Sequence, residues 1–323
     1  LRIAVAGKAG SITHWLEDAA AAWRAEGHDV RLAITRRPWL AQGLEAALAG
    51  ALAERLRASL GRFRPELIVV IGGYHTPLPL LEAMAAMPGR PPLVGWVGDA
   101  YEQEARAWAA LYDCVGYTDS ALAVRHAEWG FPGQSVYLPH AIDPSAAPAE
   151  GAFPSRDPRM VFVANPTPMR RETVAGIEQP MAIFGPGWRI GDAPAHSIYP
   201  GRVPAARAPQ LYAAHRTALN IRNELHVLAG LNQRNFEPCL AGAALLTDAQ
   251  GDLERCFEPG AEVLVWRDLA ELNGHYARAL ADAAFAERVA AAGRARVLAH
   301  HTFAHRLAAI TETVGLPKPG RRA

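Results

Sequence analysis

The chain is short of cysteine and of any surplus of charge, and each shortage narrows what it can be. Its three cysteines, Cys114, Cys239 and Cys256, are far apart and odd in number, with no Cys-x-x-Cys spacing. That excludes a disulfide framework and a cysteine-based zinc site, and it points to a reducing cytoplasm. Lys and Arg number 33 against 32 Asp and Glu, interspersed to a net charge of +1, so no basic field exists to hold nucleic acid. Nor is any window of about 18 residues both apolar and free of charge, and no membrane span is expected. At the start, Arg2 to Gly7 reads as a strand rather than a signal peptide.

What is present is apolar sequence in quantity. Half of the 323 residues are apolar, enough for two cores of about 150 residues each. Short branched runs at Leu1 to Gly7, Val30 to Ile34, Leu67 to Ile71, Leu93 to Val97, Cys114 to Tyr117 and Ser135 to Leu138 alternate with helical stretches. One of these carries Trp15, Leu16, Ala19, Ala20 and Trp23 at helical spacing. Strands of this kind are buried on both faces, as in a parallel sheet. A Pro-rich stretch from Asp143 to Pro158 reads as a linker. The alternation then restarts, with strands at Met160 to Ala164, Met181 to Phe184, Thr217 to Ile221, Ala243 to Thr247 and Glu262 to Trp266, and a final helical region from Phe285 to Val314. The expected fold is α/β: two Rossmann-like, doubly wound parallel-sheet domains, 1–146 and 156–300, with a C-terminal helix at 301–316 packing back on the first. Open sheets of this type bind ligands at the carboxyl ends of their strands, here facing a central cleft.

The stretch from Leu231 to Asp248 is a polar loop, a short helix and a buried strand. Asn235 is expected to cap the helix, with Asn232 and Arg234 projecting from the approach loop. Backbone N–H groups of a first helical turn favour phosphate oxygens, and Arg234 adds a two-pronged cationic contact. Glu237 would repel phosphate, but it suits a pair of ribose hydroxyls. The plainer alternative is that Glu237 complements the helix N-terminus and Arg234 is a solvated charge.

Asn232-Gln233-Arg234-Asn235-Phe236-Glu237, then Ala241-Gly242-Ala243, Phe257-Glu258-Pro259-Gly260-Ala261-Glu262, Leu269-Ala270-Glu271-Leu272 and His301-Thr302-Phe303 with Arg306, in this order, resemble the CgeB-like spore-maturation glycosyltransferases. The resemblance runs from about Met160 to Arg306 and extends to the wider retaining GT-B transferases. It implies a GT-B fold, a nucleotide-sugar donor held mainly by the C-terminal domain and an acceptor held mainly by the N-terminal one. Asn165 and the pair Arg170 and Arg171 then lie in the first loop of the donor domain, where one of the two arginines would contact the diphosphate. Gly185 and Trp188, with the Gly201 loop and the backbone of Arg202 and Val203, would lie near the nucleobase, the plainer alternative being ordinary turns with Trp188 packed in the core. Phe236 falls within the same donor motif. The Asp-x-Asp pair with which other transferases hold a divalent cation is missing, so arginines and peptide dipoles are expected to replace the metal, and no other cofactor is expected. The related retaining enzymes often carry two glutamates eight positions apart, but counting back from Glu237 gives Ala229.

In the first domain Gly7-Lys8-Ala9-Gly10-Ser11 forms a glycine-containing loop. His75, Asp99 and His140 each end a predicted strand. A carboxylate there can take the acceptor proton, and a histidine can steady the transferring sugar; Asp99 is the strongest candidate, because the resembled group commonly has an acid at this strand end. The nature of the acceptor, whether protein, saccharide or small metabolite, is not legible. A nucleotide-sugar 2-epimerase of the same architecture and a two-lobed solute-binding protein are the competing readings.

Overall fold

The computed structural model describes residues 1–8, 15–36, 42–149, 155–193, 195–204, 207–224 and 226–317. Ala9, Gly10 and Ser11 of the first glycine loop lie outside them. In chain order the described elements are β1 (Arg2–Lys8), α1 (Trp15–Ala25), β2 (Asp29–Arg36), α2 (Gln42–Phe63), β3 (Leu67–Ile71), α3 (Leu78–Ala85), β4 (Leu93–Val97), α4 (Arg106–Ala109), β5 (Cys114–Tyr117), α5 (Ser120–Glu128), β6 (Gln134–Tyr137), β7 (Asp157–Val163), α6 (Pro168–Ala175), β8 (Met181–Gly185), β9 (Ser197–Pro200), α7 (Ala208–Ala214), β10 (His215–Asn220), α8 (Glu237–Leu240), β11 (Ala244–Asp248), α9 (Leu253–Cys256), β12 (Leu264–Trp266), α10 (Leu269–Ala281), α11 (Ala283–His300) and α12 (Phe303–Thr313). They divide into two compact units: Leu1–Asp143 with the chain from Phe303 onward, and Pro144–Thr302.

The first unit is a six-stranded sheet in the order β2-β1-β3-β4-β5-β6, with every neighbouring pair parallel. Side chains alternate across β1. Ile3 and Val5 join one apolar cluster with Trp23, Val69 and Leu307, Val69 being the partner of Val5 across the ladder to β3. Ala4 and Ala6 join the other, with Leu60, Leu81 and Met84. Both faces are therefore covered, which is why β3 is an unbroken Leu-Ile-Val-Val-Ile run buried along its length. Helix α12 closes the first cluster, and the Trp23 indole N–H donates to the Phe303 carbonyl at 2.8 Å.

The second unit repeats the plan in the order β12-β11-β10-β7-β8-β9, again parallel throughout. Three features differ from the sequence expectation. Strand β7 begins at Asp157, inside the stretch read as linker. Strand β9 was not expected: it is an edge strand whose residues are half-buried or exposed, so it lacks an apolar run, and its Pro200 is tolerated because an edge needs no second ladder. The C-terminal helix expected at 301–316 starts only at Phe303, after a break at His301 and Thr302, where the His301 ring bonds the Cys256 carbonyl at 3.0 Å and packs against Phe236 and Phe257.

Among the described residues no helix is long and apolar enough to cross a membrane.

Candidate active site

In the first unit the ends of three strands bring together the three residues expected to carry chemistry. His75 closes a short 3-10 turn, Gly73–His75, after β3; Asp99 follows β4 and His140 follows β6. His75 Nε2 lies 3.3 Å from Asp99 Oδ2, with the two side chains 63% and 48% exposed. His140 is buried, its ring 4.6 Å from that of Trp15, and its Nδ1 has no hydrogen-bond partner among the described residues. Burial pushes its pKa down to about 4; nearby Asp99 pulls upward and Arg306 pushes further down. The imidazole is therefore neutral at pH 7, able to offer a hydrogen bond but not a positive charge. Arg306 of α12 holds this strand end by donating to the carbonyls of Pro139 at 2.7 Å and His140 at 3.1 Å. A side chain at Gly98 would lie 2.9 Å from the Trp15 ring and 3.6 Å from that of His140, so glycine before Asp99 is what leaves room for these two rings.

In the second unit the segment around Arg234 is fixed by a buried amide network. Asn235 Nδ2 donates to Thr247 Oγ1 at 2.9 Å, Asn220 Nδ2 donates to Asn235 Oδ1 at 3.1 Å, and Asn232 Nδ2 donates to Asn220 Oδ1 at 3.3 Å. The Asn232 and Asn235 side chains also form a capping box around the 3-10 turn Gln233–Asn235. This network ties the turn to the carboxyl ends of β10 and β11. It leaves Arg234 and Glu237 half-buried at the same edge, where burial raises the Glu237 pKa and Arg234 opposes the rise. Arg234 also acts on Arg170, together with Glu224 and Asp248. These charges from four chain segments thus share one neighbourhood.

The remaining expected donor residues are placed differently. Asn235 does not cap α8; it is fully buried, because its amide groups complete the network, and with Phe236, which is equally buried against Phe257, it supports the site from beneath. Arg170 is 3% exposed. Its Nε and Nη2 donate to the Ile221 carbonyl at 3.1 and 2.8 Å, and its Nη1 donates to the Asn165 carbonyl at 3.0 Å, so it ties together the loops after β7 and β10. Burial lowers its pKa to about 10, with Arg234 adding to the fall. Arg171 pairs with Asp192, donates to the Gly187 carbonyl at 2.9 Å and lies over the Trp188 ring. Trp188 is a core residue, its indole N–H donated to the Ala164 carbonyl at 2.7 Å, and not an exposed platform for a base. Gly185 has a conformational role: at φ +148, an added Cβ would stand 2.2 Å from the Ala164 carbonyl oxygen. Asn165, Arg202 and Val203 lie in the loops after β7 and β9, the first two exposed and Val203 half-buried.

Asp248 is the site residue that sequence reasoning passed over. It ends β11 as Asp99 follows β4, so the strand-end rule would have found it. Its Oδ1 accepts from the Arg222 backbone N–H at 3.1 Å, and its carboxylate pairs with the Arg222 guanidinium at 3.5 Å. Burial nevertheless pushes its pKa up from 3.8 to about 6, against the pull of Arg222 and Arg170. Because the folded state holds this proton more tightly than the unfolded chain, Asp248 costs stability as pH rises from 3.8 through about 6. Asp248→Asn is therefore expected to be more stable than the parent above that window and equal to it below. Urea unfolding across pH measures this, and a constant difference at all pH values contradicts it.

Comparison with known proteins gives the fold and then the class. The chain superimposes on sucrose-phosphate synthase from Thermosynechococcus elongatus with a TM-score of 0.69 at 15% identity, covering 97% of this chain and 98% of that one. Anabaena HepE in complex with UDP and glucose gives 0.66 at 14%, covering 98% and 99%. The UDP-forming trehalose-phosphate synthase of Burkholderia xenovorans gives 0.65 at 12%, covering 97% and 98%. At these identities the likeness defines the fold, which is GT-B. Residues 168–312 match the model of a family described as glycosyl transferase-like, and the chain is accordingly a glycosyltransferase. No curated protein matches it.

Proposed function

We propose that the protein moves a sugar from a nucleotide-diphosphate donor to an acceptor hydroxyl without a bound metal, and that donor recognition belongs to the second unit. The bond from the anomeric carbon to the diphosphate breaks, the diphosphate leaves with the electron pair, and the acceptor oxygen bonds to that carbon while giving up its proton. Arg234 supplies positive charge to the leaving diphosphate, with Arg170 adding to the field from below. Glu237 accepts from the ribose hydroxyls. In the first unit Asp99 takes the acceptor proton and His75 orients it, while neutral His140 contributes hydrogen bonding to the sugar. The observation that carries this reading is that Arg234, on a turn pinned by three asparagines, and Glu237, at the start of α8, are half-buried at one edge and near enough to act on each other's charge: a cation and a carboxylate so placed suit a phosphate next to a ribose. The UDP complex of a structural neighbour makes UDP the first nucleotide to test. The CgeB-like resemblance supports retention of anomeric configuration, which NMR of the product's anomeric proton reads directly. The three buried thiols suit a cytoplasmic protein.

Glu237→Ala is expected to weaken UDP binding by roughly 1 to 3 kcal/mol, the cost of a lost charge-assisted hydrogen bond. Calorimetry measures it, and unchanged affinity removes Glu237 from the ribose site. Conversion of a UDP-sugar with no acceptor present would instead favour the epimerase.

A further inference from the structure

The first unit holds a cavity of about 180 Å³ beside Asp99, lined by Tyr74, His75, Asp99, Tyr101, Glu102 and Trp108, with valine and alanine completing the wall. At about 30 Å³ per water molecule this is the space of roughly six waters, suited to one small ring. Its aromatic wall is packed and hydrogen-bonded. The rings of Tyr74 and Tyr101 meet edge to face at 5.2 Å and Tyr101 stacks on Tyr117 at 5.4 Å. The Tyr74 hydroxyl shares a 2.5 Å hydrogen bond with that of Tyr117, and the Trp108 indole N–H donates to the Thr76 carbonyl at 2.7 Å. Of the charged side chains in the wall, Asp99 and Glu102 are carboxylates, neither lysine nor arginine is among the lining residues, and the one basic group, the His75 imidazole, lies 3.3 Å from Asp99, which leaves Glu102 as the carboxylate without it. Two arginines on the helices that follow are turned to other work. Arg106 donates to the Trp129 carbonyl at 3.0 Å, and Arg125 donates to the Tyr101 carbonyl at 3.3 Å while covering the Trp129 ring.

Aromatic faces with two carboxylates attract a cation and repel a phosphate. We infer that this cavity is the acceptor subsite and that it takes a hydroxylated ring bearing an amino group, with Glu102 and the aromatic wall receiving the ammonium and Asp99 left to meet the reacting hydroxyl. This rests on the glycosyltransferase reading above, and it separates the protein from the phosphate-named synthases it resembles in fold. A phosphorylated acceptor would bring negative charge against Asp99 and Glu102 with no lysine or arginine in the lining to offset it.

The test uses the full chain saturated with UDP and three probes, glucosamine, N-acetylglucosamine and glucose 6-phosphate, whose binding is followed by saturation-transfer NMR. Glucosamine is expected to bind about tenfold more tightly than its N-acetyl form, which keeps the ring but loses the charge, a difference of about 1.4 kcal/mol. Glucose 6-phosphate is expected to bind worst. Glu102→Gln should erase the margin between the first two, and circular dichroism with UDP affinity checks that this variant is folded. Equal or tighter binding of the acetylated or phosphorylated probe, no detectable binding of glucosamine, or a margin that survives in Glu102→Gln each overturns the inference. UDP binding to the parent, and its weakening in Glu237→Ala, report separately on the donor reading, so the two failures are distinguishable.

Discussion

Asp99→Asn is expected to lower kcat by roughly 100- to 10,000-fold, the contribution typical of a positioned general base, while UDP affinity stays as in the parent. The asparagine keeps the size of the carboxylate and can still bond His75, which lies 3.3 Å from Asp99 Oδ2, but it cannot accept a proton. Removing the ring of His75 in His75→Ala should cost less, because its part is to orient the carboxylate rather than receive the proton. UDP release from a UDP-sugar, followed in the presence of an accepted acceptor, gives kcat; calorimetry gives the nucleotide affinity. Unchanged kcat in Asp99→Asn takes Asp99 out of the chemistry. Reduced UDP affinity in the same variant shows that the donor is not held by the second unit alone.

The second large effect is expected at Arg170. Replacing it with methionine leaves the Ile221 and Asn165 carbonyls without the guanidinium that now bonds both, and the buried Ile221 acceptor left unpaired costs about 1 to 3 kcal/mol. For a domain of this size each kcal/mol lowers Tm by roughly 2 to 4 °C, so a fall of several degrees is expected, with weaker UDP binding because the loops after β7 and β10 lose their tie. Arg170→Lys distinguishes support from direct contact. A lysine keeps the charge but cannot span two carbonyls with a planar fork, so it should fail nearly as badly as methionine. If lysine restores both Tm and UDP affinity, the charge of Arg170 matters more than its bridge, and a direct diphosphate contact becomes the better reading.

These outcomes bear on how the candidate site is written in the sequence. The strand-end argument singled out His75, Asp99 and His140 from three separate segments, and the parallel sheet β3-β4-β5-β6 sets their strand ends along one edge. That works because register in a parallel sheet follows from buried runs, which are visible in sequence. The donor motif was legible as a group but not residue by residue. Asn232, Arg234, Asn235, Phe236 and Glu237 are nearly consecutive, yet only Asn232, Arg234 and Glu237 keep exposed surface. The sorting depends on partners elsewhere in the chain, with Asn235 taken by Asn220 and Thr247 and Phe236 by Phe257 and His301. The partners of Trp188 and Arg171, the Ala164 carbonyl and Asp192, are likewise absent from their local sequence.

Alternating apolar runs and helical periodicity by themselves determined two parallel α/β sheets and placed the polar strand ends where ligands bind, because burial on both faces leaves a local and repetitive trace. Only the tertiary structure decided which charges remain available there. Arg170, in the first turn of α6, and Arg234, in a 3-10 turn, are the same residue type, but the first meets a carbonyl 51 residues away and is buried, while the second keeps part of its surface open. A lone side chain carries no local record of such a partner, since the desolvation that fixes its charge and its hydrogen bonds comes from segments the fold brings to it.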